Sequence, residues 1–358
     1  MSVNNNIKIS KTVEQAETRT KQYVPKIISG FSSQIQNLNI ELTPTQTEQV
    51  EEVYNGKVRD RYTMNDKVVL VVSNRLSAFD RHLAEIPFKG AVLNLVSQWW
   101  FKQTSHIIKN HIIEQGNNLH TNITVGRKCK PFPIEFVMRG YITGSSGTSL
   151  WTHYNKGVRE YCGHTFPDGL KKNQKLEKNL LTPTTKADDH DQLISAEEIV
   201  KDGWMTQEDW DFCSEKAYAI FEHGQKLANE HGFILVDTKY EFGKDLKTGE
   251  ILLIDEIHTP DSSRYWLAET YEECMKTTGK PENIDKEFVR LWFRDHCDPY
   301  KDETLPDAPK DMLAELSRRY IMLYEMITGE IFDIDALSKR GANINEALEK
   351  AMAVKMKQ

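Results

Sequence analysis

LVDTKYEFG (Leu235–Gly243), KDLKTG (Lys244–Gly249) and EILLIDEIHTPDSSRYW (Glu250–Trp266) form the most informative stretch of this sequence. Two β-rich runs flank a Lys-Thr-Gly turn, the pattern of an antiparallel hairpin. Side chains alternate across a strand, so Asp237, Lys239 and Glu241 share one face while Val236, Thr238 and Tyr240 take the other. Folding back over the turn brings Glu241 within about one residue of opposite Asp255, at a cross-strand spacing of roughly 5 Å. Two carboxylates that close repel unless a cation lies between them. A hard cation with few protein oxygens, completed by waters and substrate phosphates, is the chemistry of Mg²⁺. A solvated hairpin face with cross-strand salt bridges is the other reading of the same pattern.

Outward from this hairpin, helical spacing runs over about Gln207–Glu230, and PIEFVMRGYITG (Pro133–Gly144) alternates as a strand. A Gly-Ser-Ser-Gly cluster and a helix start at SLWTHYN follow. VYNGKVRDRYTMNDKVVLVVSN (Val53–Asn74) reads as two strands joined at Met64-Asn65-Asp66, and a helix from Gly90 to about Asn110 packs on their sheet. Residues 163–190 lack periodicity and read as a long loop, a class that is often functional. Helices are expected near Asp285–His296, Pro306–Gly329 and Asn343–Lys357, and one short helix near Pro25–Leu38 within an N-terminal extension. Antiparallel hairpins with helices, and no βαβ periodicity, indicate an α+β fold.

The chain has 358 residues, room for about two domains. With 39% hydrophobic and 28% charged residues it is globular rather than disordered. The longest apolar runs, such as Val68–Val72, are far short of the roughly 20 residues a bilayer crossing needs, so no membrane association is expected. The first residues lack the apolar core of a secretory signal, which makes the cytoplasm the expected compartment. Five scattered cysteines without a CxxC pair argue against a disulfide framework or a zinc site. A net charge of −7 weighs against nucleic acid as a partner.

Four further constellations carry polar chemistry. Lys57 and Arg59 in Gly56-Lys57-Val58-Arg59 would share a strand face beside a flexible glycine, as a phosphate clamp or as ordinary surface charge. Neither GxxxxGK[ST] nor GxGxxG before a helix is present. Arg139 and Ser145 flank a helix start and could share one anion, or form a plain cap with a surface arginine. Asp261-Ser262-Ser263-Arg264 could orient a small polar ligand or form a turn. Ser73–Asp80 ends a strand with hydroxyl and carboxylate groups, and Thr182–Lys186 with Asp188, Asp189, His190 and Asp191 lies in the long loop.

In order, GKVRDRY (Gly56–Tyr62), SNRLSAFD (Ser73–Asp80), RGYITGSS (Arg139–Ser146), TPTTKA (Thr182–Ala187), LVDTKYEFG and DEIHTPDSSRYW resemble the SAICAR synthetase family over roughly residues 50–330. The resemblance implies a two-lobed, ATP-grasp-like α+β fold with C-terminal helices. It implies an N-terminal extension (1–45), a nucleotide-clamp lobe (46–130), a central lobe (131–270) and a helical segment (271–358). The implied activity is ATP-dependent ligation of L-aspartate to the carboxylate of the imidazole nucleotide CAIR. Carried over by motif, Gly56, Lys57 and Arg59 meet the ATP phosphates, Lys128 begins the adenine-binding connection to Pro133, and Glu241 and Asp255 hold Mg²⁺. Arg139, Ser145, Arg264 and Arg290 bind the CAIR phosphate. Asp237, Lys239 and Asp261 orient CAIR, Lys186 reaches toward the transferred phosphate, and Asp80 lies on the aspartate side. The family reads TDRISAFD where this chain has SNRLSAFD, so Asn74 replaces an acid. The alternative is another ATP-dependent phosphotransferase or ligase on the same scaffold.

Overall fold

A computed structural model describes residues 12–32, 40–79, 81–115, 119–186, 192–340 and 344–355. Two antiparallel sheets organise them. The first runs Glu52–Asn55, Arg59–Thr63, Lys67–Val72, Ile123–Arg127, Ile112–Gln115 in spatial order. The segment read as two strands therefore makes three, because Gly56, Lys57 and Val58 form an additional turn. The Gly56 N–H donates to the Arg59 carbonyl at 2.9 Å. A Cβ at position 56 would stand 2.5 Å from that same oxygen, so the turn requires glycine. Lys57 is consequently an exposed turn residue, and Arg59 opens the next strand instead of sharing a strand face with it.

The second sheet has seven strands, built around the 13-residue strand Phe233–Asp245. Ile134–Tyr141 and Arg264–Leu267 pair with its first part, Ile251–Ile254 and Cys129–Pro131 with its last. Phe233, Leu235, Tyr240 and Phe242 are fully buried, and the change of parity between Leu235 and Tyr240 follows a register shift between Leu235 and Asp237. The helix Gln207–Glu230 matches its expected limits. Thr206 caps it by accepting from the Asp209 N–H at 3.1 Å, and Cys213, Ala217, Ile220, Phe221 and Ala228 form its buried stripe.

Three local expectations change. Residues 163–190 are not one loop, since Lys175–Leu181 is an edge strand on Ile134–Tyr141. Its register breaks between Lys175 and Leu180, which interrupts the alternation a sequence scan depends on. The helix near Gly90 spans Lys89–Thr104 and stops short because Asn110 and His111 pair with Leu253 of the other sheet. Asn74, buried, accepts from the Gly90 N–H at 3.0 Å at the start of this helix, a role its neutral amide fills without a buried charge. The N-terminal helix is Val24–Gly30, preceded by Val13–Lys21; residues 33–39 lie outside the described set.

The N-terminal helices dock on Lys310–Thr328, which packs in turn on Lys89–Thr104. Glu325, fully buried, accepts from Arg19 at 2.7 Å, the Tyr23 hydroxyl at 2.9 Å and the Phe332 N–H at 2.9 Å. Glu287–His296, Lys310–Thr328 and Ile344–Ala353 correspond to the three expected tail helices, and Ile334–Arg340 adds a short helix between the last two. Among the described residues no helix is long and apolar enough to cross a membrane.

Candidate active site

The register of the second sheet pairs Glu241 with Ile254, so Glu241 and Asp255 become neighbours, as the hairpin pattern requires. Asp255 has φ 65°, a left-handed conformation that aspartate tolerates better than most residues. Around the two carboxylates stand three cations. Arg59 reaches Asp255 at 2.7 Å and also binds Glu256, Lys186 meets Glu241 at 2.5 Å, and Lys239 meets Glu135 at 2.6 Å. Burial and the charge of Asp255 push the Glu241 carboxyl above its ordinary range. Burial opposes Asp255 too, but Arg59, Lys186 and Lys239 outweigh it and hold that carboxyl low. Burial works against the Lys239 ammonium, yet Glu135 and Glu241 keep it charged.

This donor set fits a hard divalent cation. One carboxylate is satisfied, the other is raised by its neighbour, and a 2+ charge between them would relieve that repulsion. Among the described residues no group of three or more His, Cys, Asp or Glu side chains is placed to hold a metal; Glu241 and Asp255 alone would leave the rest of a cation's shell to water and phosphate.

A second charged cluster lies further along the same strand. Arg264 binds Asp237 at 2.6 Å, and Arg139 lies 3.7 Å from the same carboxylate while donating to Thr182 at 2.8 Å. Asp237 is thus the anchor of two arginines. Ser145 donates to Glu287 at 2.7 Å and Arg290 to Glu287 at 3.3 Å. Beside them Asp285 is buried, and burial with the neighbouring Glu287 pushes its carboxyl up to about 7. A raised carboxyl favours the folded state when protonated and weakens it as pH climbs from about 4 to 7. Asp285→Asn, which can still accept from the Glu287 N–H, is therefore expected to raise the urea midpoint at pH 8 and change it little at pH 4.5. Equal midpoints at pH 8 would refute this.

Asp261 belongs to neither cluster's open side. Lys89 lies 3.2 Å from one oxygen, Lys286 3.3 Å from the other, and the Tyr320 hydroxyl donates at 3.2 Å. Lys128 sits where the chain passes from the first sheet to the second, paired with Glu51, its carbonyl accepting from the Leu246 N–H at 3.2 Å. Asp80 and Asp188–Asp191 lie outside the described residues.

Sequence reasoning missed Glu135, Glu256, Lys89, Lys286 and Glu287. Glu287 could have been noticed beside Arg290 in DKEFVR, whereas Glu135 meets Lys239 only through the pairing of strands about 100 residues apart. A cleft of about 670 Å³ is lined by Cys162, His164, Leu181, Pro183, Trp210 and Tyr218 among others. Its lining includes no Lys or Arg among the described residues, so the charged strand face is the better phosphate site.

Residues 52–306 match the family model SAICAR synthetase. The chain belongs to the SAICAR synthetase family. A phosphoribosylaminoimidazole-succinocarboxamide synthase of Legionella pneumophila (strain Lens) is 61% identical over 79% of this chain and 89% of its own length. The chloroplastic synthase of Arabidopsis thaliana is 60% identical over 78% of this chain and 67% of its own. Among solved structures, SAICAR synthase from Saccharomyces cerevisiae complexed with SAICAR has a TM-score of 0.69 at 30% identity, covering 82% of this chain and 99% of that one. A SAICAR synthetase in complex with ADP has a TM-score of 0.59 at 26% identity, covering 79% and 100%. The α+β architecture is that of SAICAR synthetases, and the activity is the ATP-dependent ligation of purine biosynthesis.

Proposed function

We propose that this SAICAR synthetase takes CAIR and L-aspartate as its substrates, with Mg²⁺ held by Glu241 and Asp255. The observation that supports it is the presence of two cation-rich clusters on one strand, around Glu241 and around Asp237. A phosphotransferase acting on a simple acceptor needs the first alone, whereas joining a nucleotide carboxylate to an amine needs a second site for the nucleotide's own phosphate.

A carboxylate is a poor acyl donor because it repels nucleophiles and lacks a leaving group. An oxygen of the CAIR carboxylate attacks the γ-phosphorus of ATP and ADP departs, leaving an acyl phosphate. The aspartate amine then attacks the acyl carbon, loses a proton, and phosphate leaves. When bound, the magnesium ion would neutralise phosphate charge. Gly56, Lys57, Arg59 and Lys186 serve the ATP phosphates, and Lys128–Pro133 presents backbone to the adenine. Lys239, kept cationic by Glu135, faces the developing charge on the acyl group. Arg139, Ser145, Arg264 and Arg290 hold the CAIR phosphate, Asp237 positions that substrate, Asp261 acts on it only through the lysines it anchors, Lys89 and Lys286, and Asp80 serves the aspartate side. The same reading takes 46–130 as clamp lobe, 131–270 as central lobe, 271–358 as helical segment and 1–45 as extension, acting in the cytoplasm.

The test is ADP release by purified protein with Mg²⁺-ATP, CAIR and L-aspartate, omitting each in turn, with product mass recorded. Release that requires every component, with the succinocarboxamide formed, supports the proposal; ATP cleavage indifferent to CAIR overturns it. Arg264→Ala is expected to raise the CAIR KM about tenfold or more, since a charge-assisted contact contributes about 1.5–3 kcal/mol. An unchanged KM would remove Arg264 from the site.

A further inference from the structure

Ser145 and Arg290, both proposed above for the CAIR phosphate, already hold an anion. The Ser145 hydroxyl donates to one oxygen of Glu287 at 2.7 Å, and Arg290 donates to the other at 3.3 Å. Arg264 and Lys172 act on the same carboxylate: burial opposes its charge, but Arg290, Arg264, the Ser145 hydroxyl and Lys172 keep it low in pKa. Arg290 also buries its Nε without a hydrogen-bond partner, so this guanidinium has donor capacity that Glu287 does not use. Glu287 is the first residue of the helix Glu287–His296, and its side chain keeps contact with solvent at 16% exposure. It can therefore turn outward without breaking the helix.

We infer that Glu287 occupies the phosphate position of the nucleotide site in the free enzyme and is displaced when the substrate phosphate binds, so that this carboxylate sets the affinity for CAIR. The inference rests on the proposed CAIR site. Its physical basis is that a phosphate dianion and a carboxylate cannot share the Ser145 and Arg290 donors without mutual repulsion. Displacement subtracts from phosphate affinity the energy of the contacts Glu287 gives up. A Glu287→Gln side chain has the same shape and can still accept from Ser145, but it no longer competes as a charge.

The test compares wild type, Glu287→Gln and Arg264→Ala. The CAIR KM of Glu287→Gln is expected to fall three- to tenfold, and competitive inhibition by inorganic phosphate to tighten by a similar factor. The KM for ATP, whose proposed phosphate cluster lies elsewhere, serves as reference and should shift less than twofold. Raising the salt should narrow the CAIR difference, as screening of a charge effect requires. An unchanged or raised CAIR KM in folded Glu287→Gln overturns the inference and makes Glu287 a support for the arginine. If Arg264→Ala leaves the CAIR KM unchanged as well, the phosphate site itself has been misplaced; if Arg264→Ala raises it, only the role of Glu287 fails.

Discussion

Glu241→Gln is expected to lose about 10³-fold in turnover, the scale for removing one electrostatic stabiliser at a reacting phosphate, while becoming more resistant to urea at pH 8. The two effects share one cause. Burial and Asp255 raise the Glu241 carboxyl, so the folded state binds its proton more tightly than the unfolded chain. A raised carboxyl loses stability as pH climbs from its unfolded value near 4.3 through the folded one. Glutamine has no such dependence, so the variant's advantage should grow between pH 4.5 and pH 8. Lys186, the partner of Glu241, is more than a third exposed and can turn to solvent when the charge is removed. Near-wild-type turnover in the folded variant would end the metal assignment, and a lower midpoint at pH 8 would show that Lys186 contributes more than the repulsion removes.

Asp261→Ala should be the most destabilising of these substitutions, by about 3–5 kcal/mol, because it removes the anion from a buried ion network. Lys89 is wholly buried and Lys286 largely so, and both share this one carboxylate. Burial opposes Asp261, but its two ammonium partners hold it down to about 2. Lys89 fares worse: complete burial, against one shared partner, lowers it to about 8. For Asp261 the stabilisation is full above its unfolded value near 3.9 and is lost as pH falls toward 2. Wild type should therefore lose stability across that window more steeply than Asp261→Ala. Urea unfolding at pH 7 and pH 3 measures both points, and a loss below about 1 kcal/mol at pH 7 would show that the network contributes little. Adding Lys89→Met to Asp261→Ala should restore part of the loss, since it withdraws the stranded cation.

What was legible in the chain was whatever its local pattern enforces. The Glu241–Asp255 juxtaposition follows from period-two alternation and a short turn, and the extent of Gln207–Glu230 follows from its helical spacing. Lys175–Leu181 escaped because a register break spoils alternation on an edge strand, and the extra turn at Gly56–Val58 escaped because its signal is a single close approach of backbone atoms.

The motif residues and their charge are properties of the sequence, and so is the family they belong to. Which charges meet was decided by tertiary structure. Glu135 reaches Lys239, Glu287 takes up Ser145, and Lys89 shares Asp261 with Lys286 across separations of 104, 142 and well over 100 residues. Periodicity specifies the face on which a side chain lies, but pairing between distant strands and helices depends on packing of the whole core, which no local pattern encodes.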